Sequence, residues 1–226
     1  MLGFGSLLIY RGLHSANTVT PETATEPLPQ SRRTVFRLAA LFSLDSFAGG
    51  LAVQSLLALW LFQRFDLSIV AAGSIFFWTG ILSALSQLAA APLARRIGLI
   101  NTMVFTHLPA NLFLLPVPFM PNLALALLFL SLRAALSQMD VPARSSYVMA
   151  VVTPGERAAA ASVTAVPRSL AAAASPAVAG WLLSASPFGW PLVLCGGLKI
   201  TYDVLLLYMF RKVRPPEEQS KIEQER

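Results

Sequence analysis

Residues 89–102 read AAAPLARRIGLINT, and they set two adjacent arginines and a Pro/Gly turn between two long apolar runs. A guanidinium held in hydrocarbon is costly, so Arg95 and Arg96 divide those runs into separate membrane helices that meet at a turn in water. By the positive-inside rule a short loop with an Arg-Arg pair stays cytoplasmic, and that assignment orients every other helix.

Composition leads to the same class. Hydrophobic residues make up 55% of the chain and charged residues 12%, where a soluble domain has about a quarter charged. At about 20 to 25 residues per tilted helix, a chain of this length has room for about six spans. The formal net charge is +6, but the basic residues fall in short segments between apolar runs. They act as topology signals, and no nucleic-acid partner is expected. The single Cys195 lies inside an apolar run, which excludes a disulfide framework within these residues.

On the N-terminal side of the arginine turn, a second span over 68–94 carries Trp78 near its middle. The first span, over 35–62, holds Asp45, Gln54 and the pair Gly49-Gly50, small residues suited to close helix contact. On the C-terminal side the third span, over 100–116, contains Pro109 and is expected to kink there. The fourth begins near 123 and passes Arg133, Asp140, Pro142 and Arg144 before TPGER makes a turn at 153–157. A fifth span over 158–184 includes Pro167 and Arg168, and a sixth over 188–210 includes Lys199 and Asp203.

The expected fold is therefore all-α, a polytopic membrane protein whose six-helix bundle occupies 34–214. Residues 1–13 look like the end of a preceding helix, because their apolar run is too short to span a bilayer. Residues 14–33, rich in Thr, Pro and Glu, read as a flexible cytoplasmic linker, and 215–226 as a charged cytoplasmic tail. Arg32, Arg33, Arg37, Arg95, Arg96, Arg144, Arg157, Arg211, Lys212 and Arg214 all fall on the inner side, and Arg64 alone falls in an outer loop. Both termini are expected in the cytoplasm, with the bundle in the plasma or inner membrane.

The turn PLARRIG resembles the loop signature of the major facilitator superfamily, in which a glycine, an acidic-basic pair and a second glycine precede basic residues. Arg95, Arg96 and Gly98 carry the likeness; Arg95 stands at the acidic position and Ala91 at the first glycine. FLSLRAALSQMDVPARSSYVMAVVTPGERAAAAS is similar to the fourth-helix arginine of a six-helix half, its inner end and the PxER turn, and SPAVAG to the Gly-Pro-rich motif of the fifth helix. The resemblance implies the C-terminal half of a transporter that moves a small solute by alternating access. One such bundle leaves the pathway face uncovered, so the implied partners are the lipid bilayer, a solute, and an N-terminal six-helix half or a second copy of the chain. It also implies that the first and fourth helices line the cavity, the second and fifth frame it, and the third and sixth face outward.

Intramembrane charges are the candidate site residues. Arg133 lies roughly 15 Å into its helix and shares a face with Ser137, Asp140 and Arg144. It either contacts substrate or coupling ion, or staples helices through a salt bridge. Asp45 either carries a coupling proton or pairs with Arg133 or Arg168, and with Arg133 it forms the leading pair. Gln54 and Arg168 are further substrate or coupling candidates; Trp78 is packing or a platform for a lipophilic ligand. Lys199 and Asp203, four residues apart, are expected to neutralise each other within one helix.

An enzymatic reading lacks a constellation. His14 and His107 are the two histidines, no cluster has metal-ligand spacing, and no serine elbow or phosphate loop is present. No cofactor or metal is expected. A non-catalytic subunit of a larger complex is the alternative to a transporter half.

Overall fold

A computed structural model describes residue 28, residues 30–211 and residue 213. The readings for 1–13 and 215–226, and for most of 14–33, lie outside these described residues. The first span starts with α1 (Arg32–Leu51), breaks at Ala52 and Val53, and resumes as α2 (Gln54–Phe65). The second is α3 (Ile69–Ile97) and the third α4 (Leu99–Leu114), which runs through Pro109 as continuous helix and leads into a 3₁₀ turn, Val117–Phe119. The fourth is split into α5 (Leu123–Leu136) and α6 (Asp140–Ala150). The fifth and sixth are α7 (Arg157–Ala185) and α8 (Trp190–Phe210).

Five of these six spans are long and apolar enough to cross a membrane by length and composition; α7 has the length, in an alanine- and serine-rich sequence. The expectation of a continuous first span is corrected by the break at Ala52–Val53. The polar stripe expected from Arg133 to Arg144 is likewise interrupted, since Ser137–Met139 separates α5 from α6.

Local chemistry explains several boundaries. The Ser68 hydroxyl accepts the Ala71 N–H at 3.2 Å and Asn122 Oδ1 accepts the Leu125 N–H at 3.0 Å, so each caps its helix. Gly98 joins α3 to α4 at φ 87, a conformation that a side chain would strain. The arginine turn needs a glycine there for that reason.

The start of α1 is more unusual. Arg32 and Arg33 stand at the positive end of the helix dipole, the first turn has no acid, and Ser31 makes no side-chain cap bond. The missing anion comes from the TPGER turn: Glu156 Oε1 accepts the backbone N–H groups of Gln30 at 3.0 Å and Ser31 at 3.4 Å. The Ser31 side chain, then the N–H groups of Gln30 and Ser31, hold the Glu156 carboxyl below the usual glutamate range against the opposing effect of burial. A lowered folded-state value gives stability that is complete above the unfolded value and is lost as pH falls through the folded one. Glu156→Gln is therefore expected to lower the thermal midpoint at neutral pH, with the gap to wild type closing on acidification. A gap that stays constant down to strongly acidic pH would show that the carboxylate charge is not what holds the turn.

The helices pack as a bundle in which α1 lies mainly against α7 and α8, while α4 contacts α8, α5 and α6. Two apolar clusters fill it. One contains Phe42, Met103, Val104, Tyr147, Tyr202 and Leu206; the other contains Leu51, Trp60, Leu114, Leu130, Leu183 and Cys195. Residue order along α1, α4 and α8 leaves a layer between the clusters, and that layer is polar.

Candidate functional site

Four helices each contribute to the polar layer. α1 brings Asp45; α4 brings His107 and Asn111; α6 brings Asp140 and Arg144; α8 brings Lys199 and Asp203. All seven side chains are buried. In α4, α6 and α8 the two residues are four apart, the spacing that puts both on one helix face.

Asp45 is the hub. Its Oδ1 accepts Lys199 Nζ at 2.6 Å and its Oδ2 accepts Arg144 Nη2 at 2.8 Å, and Arg144 also donates to Asp140 Oδ2. A second group lies beside it. Asp203 Oδ1 is 2.9 Å from His107 Nδ1, and Asp203 Oδ2 accepts Asn111 Nδ2 at 3.1 Å. Lys199 Nζ joins the groups, at 3.3 Å from His107 Nε2. The Arg144 guanidinium also sits over Phe42 and Tyr202, 5.1 and 5.7 Å from the ring centroids, distances suited to cation–π attraction.

Two expected pairings are replaced. Lys199 and Asp203 do not pair with each other; each turns to another helix. The reason is directional: helical side chains lean toward the N-terminus, so a lysine four residues before an aspartate leans away from it. In Asp140–Arg144 the order is reversed, the arginine leans back onto the acid, and the pair forms within one helix. Asp45 pairs with Arg144 and Lys199 and not with Arg133 or Arg168. Arg133 is partly buried, and its Nε has no hydrogen-bond partner among the described residues.

The other candidates lie apart from the layer. Gln54 is exposed at the break that separates α1 from α2, Arg168 is exposed on α7, and Trp78 is 64% exposed on α3. Arg95 and Arg96 are exposed at the end of α3, with no ion pair among the described residues. Sequence reasoning passed over His107 and Asn111 as site residues and placed Asp140 and Arg144 at an inner helix end. The readable signal was polar residues at i and i+4 in three apolar spans.

Chemically the layer holds three carboxylates, two fixed cations and one imidazole in an apolar setting. Paired this way it can lock four helices together.

Comparison with known proteins agrees with this architecture. A sequence profile of the Major Facilitator Superfamily matches residues 35–226. An uncharacterized membrane protein of the yeast Saccharomyces cerevisiae is 26% identical over 192 residues, covering 84% of this chain and 43% of that protein. The chain thus spans less than half the length of this curated relative. It is a multi-pass membrane protein, and with most of its residues matched it belongs to the Major Facilitator Superfamily, a family of membrane transporters.

Proposed function

We propose that the chain forms one six-helix half of a secondary active transporter that moves a small solute by alternating access, coupled to an ion. The observation that carries this reading is Arg168. It lies eleven residues past Arg157 in α7, about 16 Å along the axis at the helical rise, near the middle of a hydrocarbon layer of about 30 Å. There it is exposed, beside exposed Ser169, with no ion pair or hydrogen bond among the described residues. A bare guanidinium at that depth faces water or another protein, not lipid.

The partner that fits is a second six-helix bundle, either an N-terminal half or another copy of the chain. The match occupies 43% of the yeast relative, which leaves that protein room for a bundle of equal size. On this reading the arginine-rich ends of the helices and both termini are cytoplasmic, in a plasma or inner membrane.

Thiol accessibility tests it. In a Cys195→Ser background, Arg168→Cys is expected to react in membranes with a water-soluble thiol reagent. Val204→Cys, 53% exposed on α8, is expected to face lipid and stay unreactive. Silence at both positions would remove the water-lined pathway from the α7 face.

A further inference from the structure

We propose that the solute carries an anionic oxygen group, a carboxylate or a phosphate, and that Arg133 receives it, with Arg168 as the second positive charge of the site. This names the substrate class of the transporter read above and rests on that reading.

The first argument is which intramembrane charges are already spent. Among the described residues the acids within the spans are Asp45, Asp140 and Asp203, and all three are buried and bonded to side chains of the polar layer. Arg144 and Lys199 are spent on the same layer. The side chains of Arg133 and Arg168 make no ion pair or hydrogen bond among the described residues. What this half offers a solute at mid-depth is therefore positive charge alone.

The second argument is depth and access. Arg133 lies ten residues past Leu123, roughly 15 Å along α5. Arg168 lies about 16 Å into α7, which returns from the turn at the other end of the fourth span. In a hydrocarbon layer of about 30 Å the two stand near one level. Arg133 is half-buried, and of its three guanidinium nitrogens only Nε is covered without a partner. The open Nη end is a planar fork that can give two parallel hydrogen bonds to a carboxylate or phosphate. The backbone next to it also points to a cavity. Ser137–Met139 interrupts the helix one turn beyond Arg133, about halfway along the 28-residue span Leu123–Ala150, and all three residues are half-buried. Irregular backbone at that depth is tolerated inside protein or against a water-filled cavity, and not against lipid.

The third argument is the closing step. A pathway that occludes its solute removes water from its lining, and two guanidiniums dried without a counter-charge are strongly unfavourable. An anionic solute supplies the counter-charge while it is bound and removes it on leaving. A cationic solute would add a third positive charge to the same space. An acid on the covering bundle would neutralise the arginines permanently, and the test below separates that case.

The full chain is expressed in membranes with Cys195→Ser, and Ser137→Cys and Ser169→Cys serve in turn as reporters, one turn from Arg133 and next to Arg168. Each is labelled with a methanethiosulfonate that carries a sulfonate and with one that carries a trimethylammonium. The sulfonate reagent is expected to be favoured about tenfold over its ratio on a free thiol in water. Arg133→Gln is expected to abolish the preference at Ser137→Cys, and Arg168→Gln at Ser169→Cys, whereas Arg133→Lys keeps the charge and is expected to keep the preference. Inorganic phosphate or benzoate, at constant ionic strength, is expected to slow the sulfonate reagent at Ser137→Cys with Arg133 in place and not with Arg133→Gln. Arg133 has no side-chain partner to lose among the described residues, so the thermal midpoint of Arg133→Gln is expected to match wild type. Equal relative rates for the two reagents would mean that an acid of the covering bundle already neutralises the arginines. That result, a preference for the trimethylammonium reagent, no reaction at Ser137→Cys, or protection by neither anion would overturn the proposal. Equal rates would leave the pathway standing, since both reagents have then reached Ser137→Cys through water. Silence at Arg168→Cys would remove the pathway from the α7 face without altering the ratio read at Ser137→Cys.

Discussion

Asp45→Asn is expected to destabilise the bundle by about 3 to 5 kcal/mol, the cost of leaving a buried charge without its partner. Arg144 keeps Asp140 when Asp45 loses its charge, but Lys199 keeps only the His107 ring, with Nε2 at 3.3 Å. The damage therefore centres on one stranded ammonium. Lys199→Met retains much of the apolar stem and removes the charge, so Asp45→Asn with Lys199→Met is expected to recover most of the loss. Asp45→Asn with Arg133→Gln is expected to recover nothing, since Arg133 has no contact with Asp45. Unfolding midpoints of the four proteins in mixed micelles decide the matter. Recovery by the Arg133 variant in place of the Lys199 variant would mean that the bundle is held by a different pairing.

Gly50→Val is expected to cost up to about 3 kcal/mol through overpacking of the contact between α1 and α7. A Cβ at position 50 would stand 2.6 Å from Ser175 Cβ and 3.0 Å from Ala172 O, with backbone on one side and a short, immobile side chain on the other. Neither neighbour can fold out of the way. Ser175 is also held, because its hydroxyl donates to Phe47 O. Gly50→Ala gains about 1 kcal/mol of helix propensity and is still expected to be less stable than wild type. Gly180→Ala supplies the control: nothing lies within 4 Å of that site, so the propensity gain should appear undiminished. Ser175→Gly combined with Gly50→Ala is expected to relieve the clash. If Gly50→Ala and Gly180→Ala behave alike, α1 and α7 are further apart than this contact requires.

The glycine pair illustrates how far local sequence reaches. Gly49-Gly50 in an apolar span predicts close approach, and the approach is found: Gly50 meets α7, and Gly49 leaves space for the Lys199 stem on α8, 3.7 Å away. Which helices approach was not readable. A small residue marks a place on its own helix but carries no label for the helix that comes to it.

Arg144 and Arg133 make the same point for charge. Both are arginines in the fourth span, and eleven residues apart they share a face of an unbroken helix. The break at Ser137–Met139 removes that continuity, and only Arg144 meets Asp45. The His107–Asn111 pair was legible as two polar residues on one face of an apolar span. Its meaning depended on Asp203, which is 96 residues away from His107 in the chain.

Six helical spans, the turn at Arg95–Arg96 and the presence of charge inside the spans follow from the sequence by itself. They rest on hydrophobic run length and on the cost of charge in hydrocarbon, both local properties. The partners of those charges, the interrupted first and fourth spans and the exposure of Arg168 were decided by tertiary structure alone. Helical periodicity sets the face and depth of a side chain, whereas a salt bridge also requires the rotation and the neighbour of each helix, which are fixed only when all six pack together.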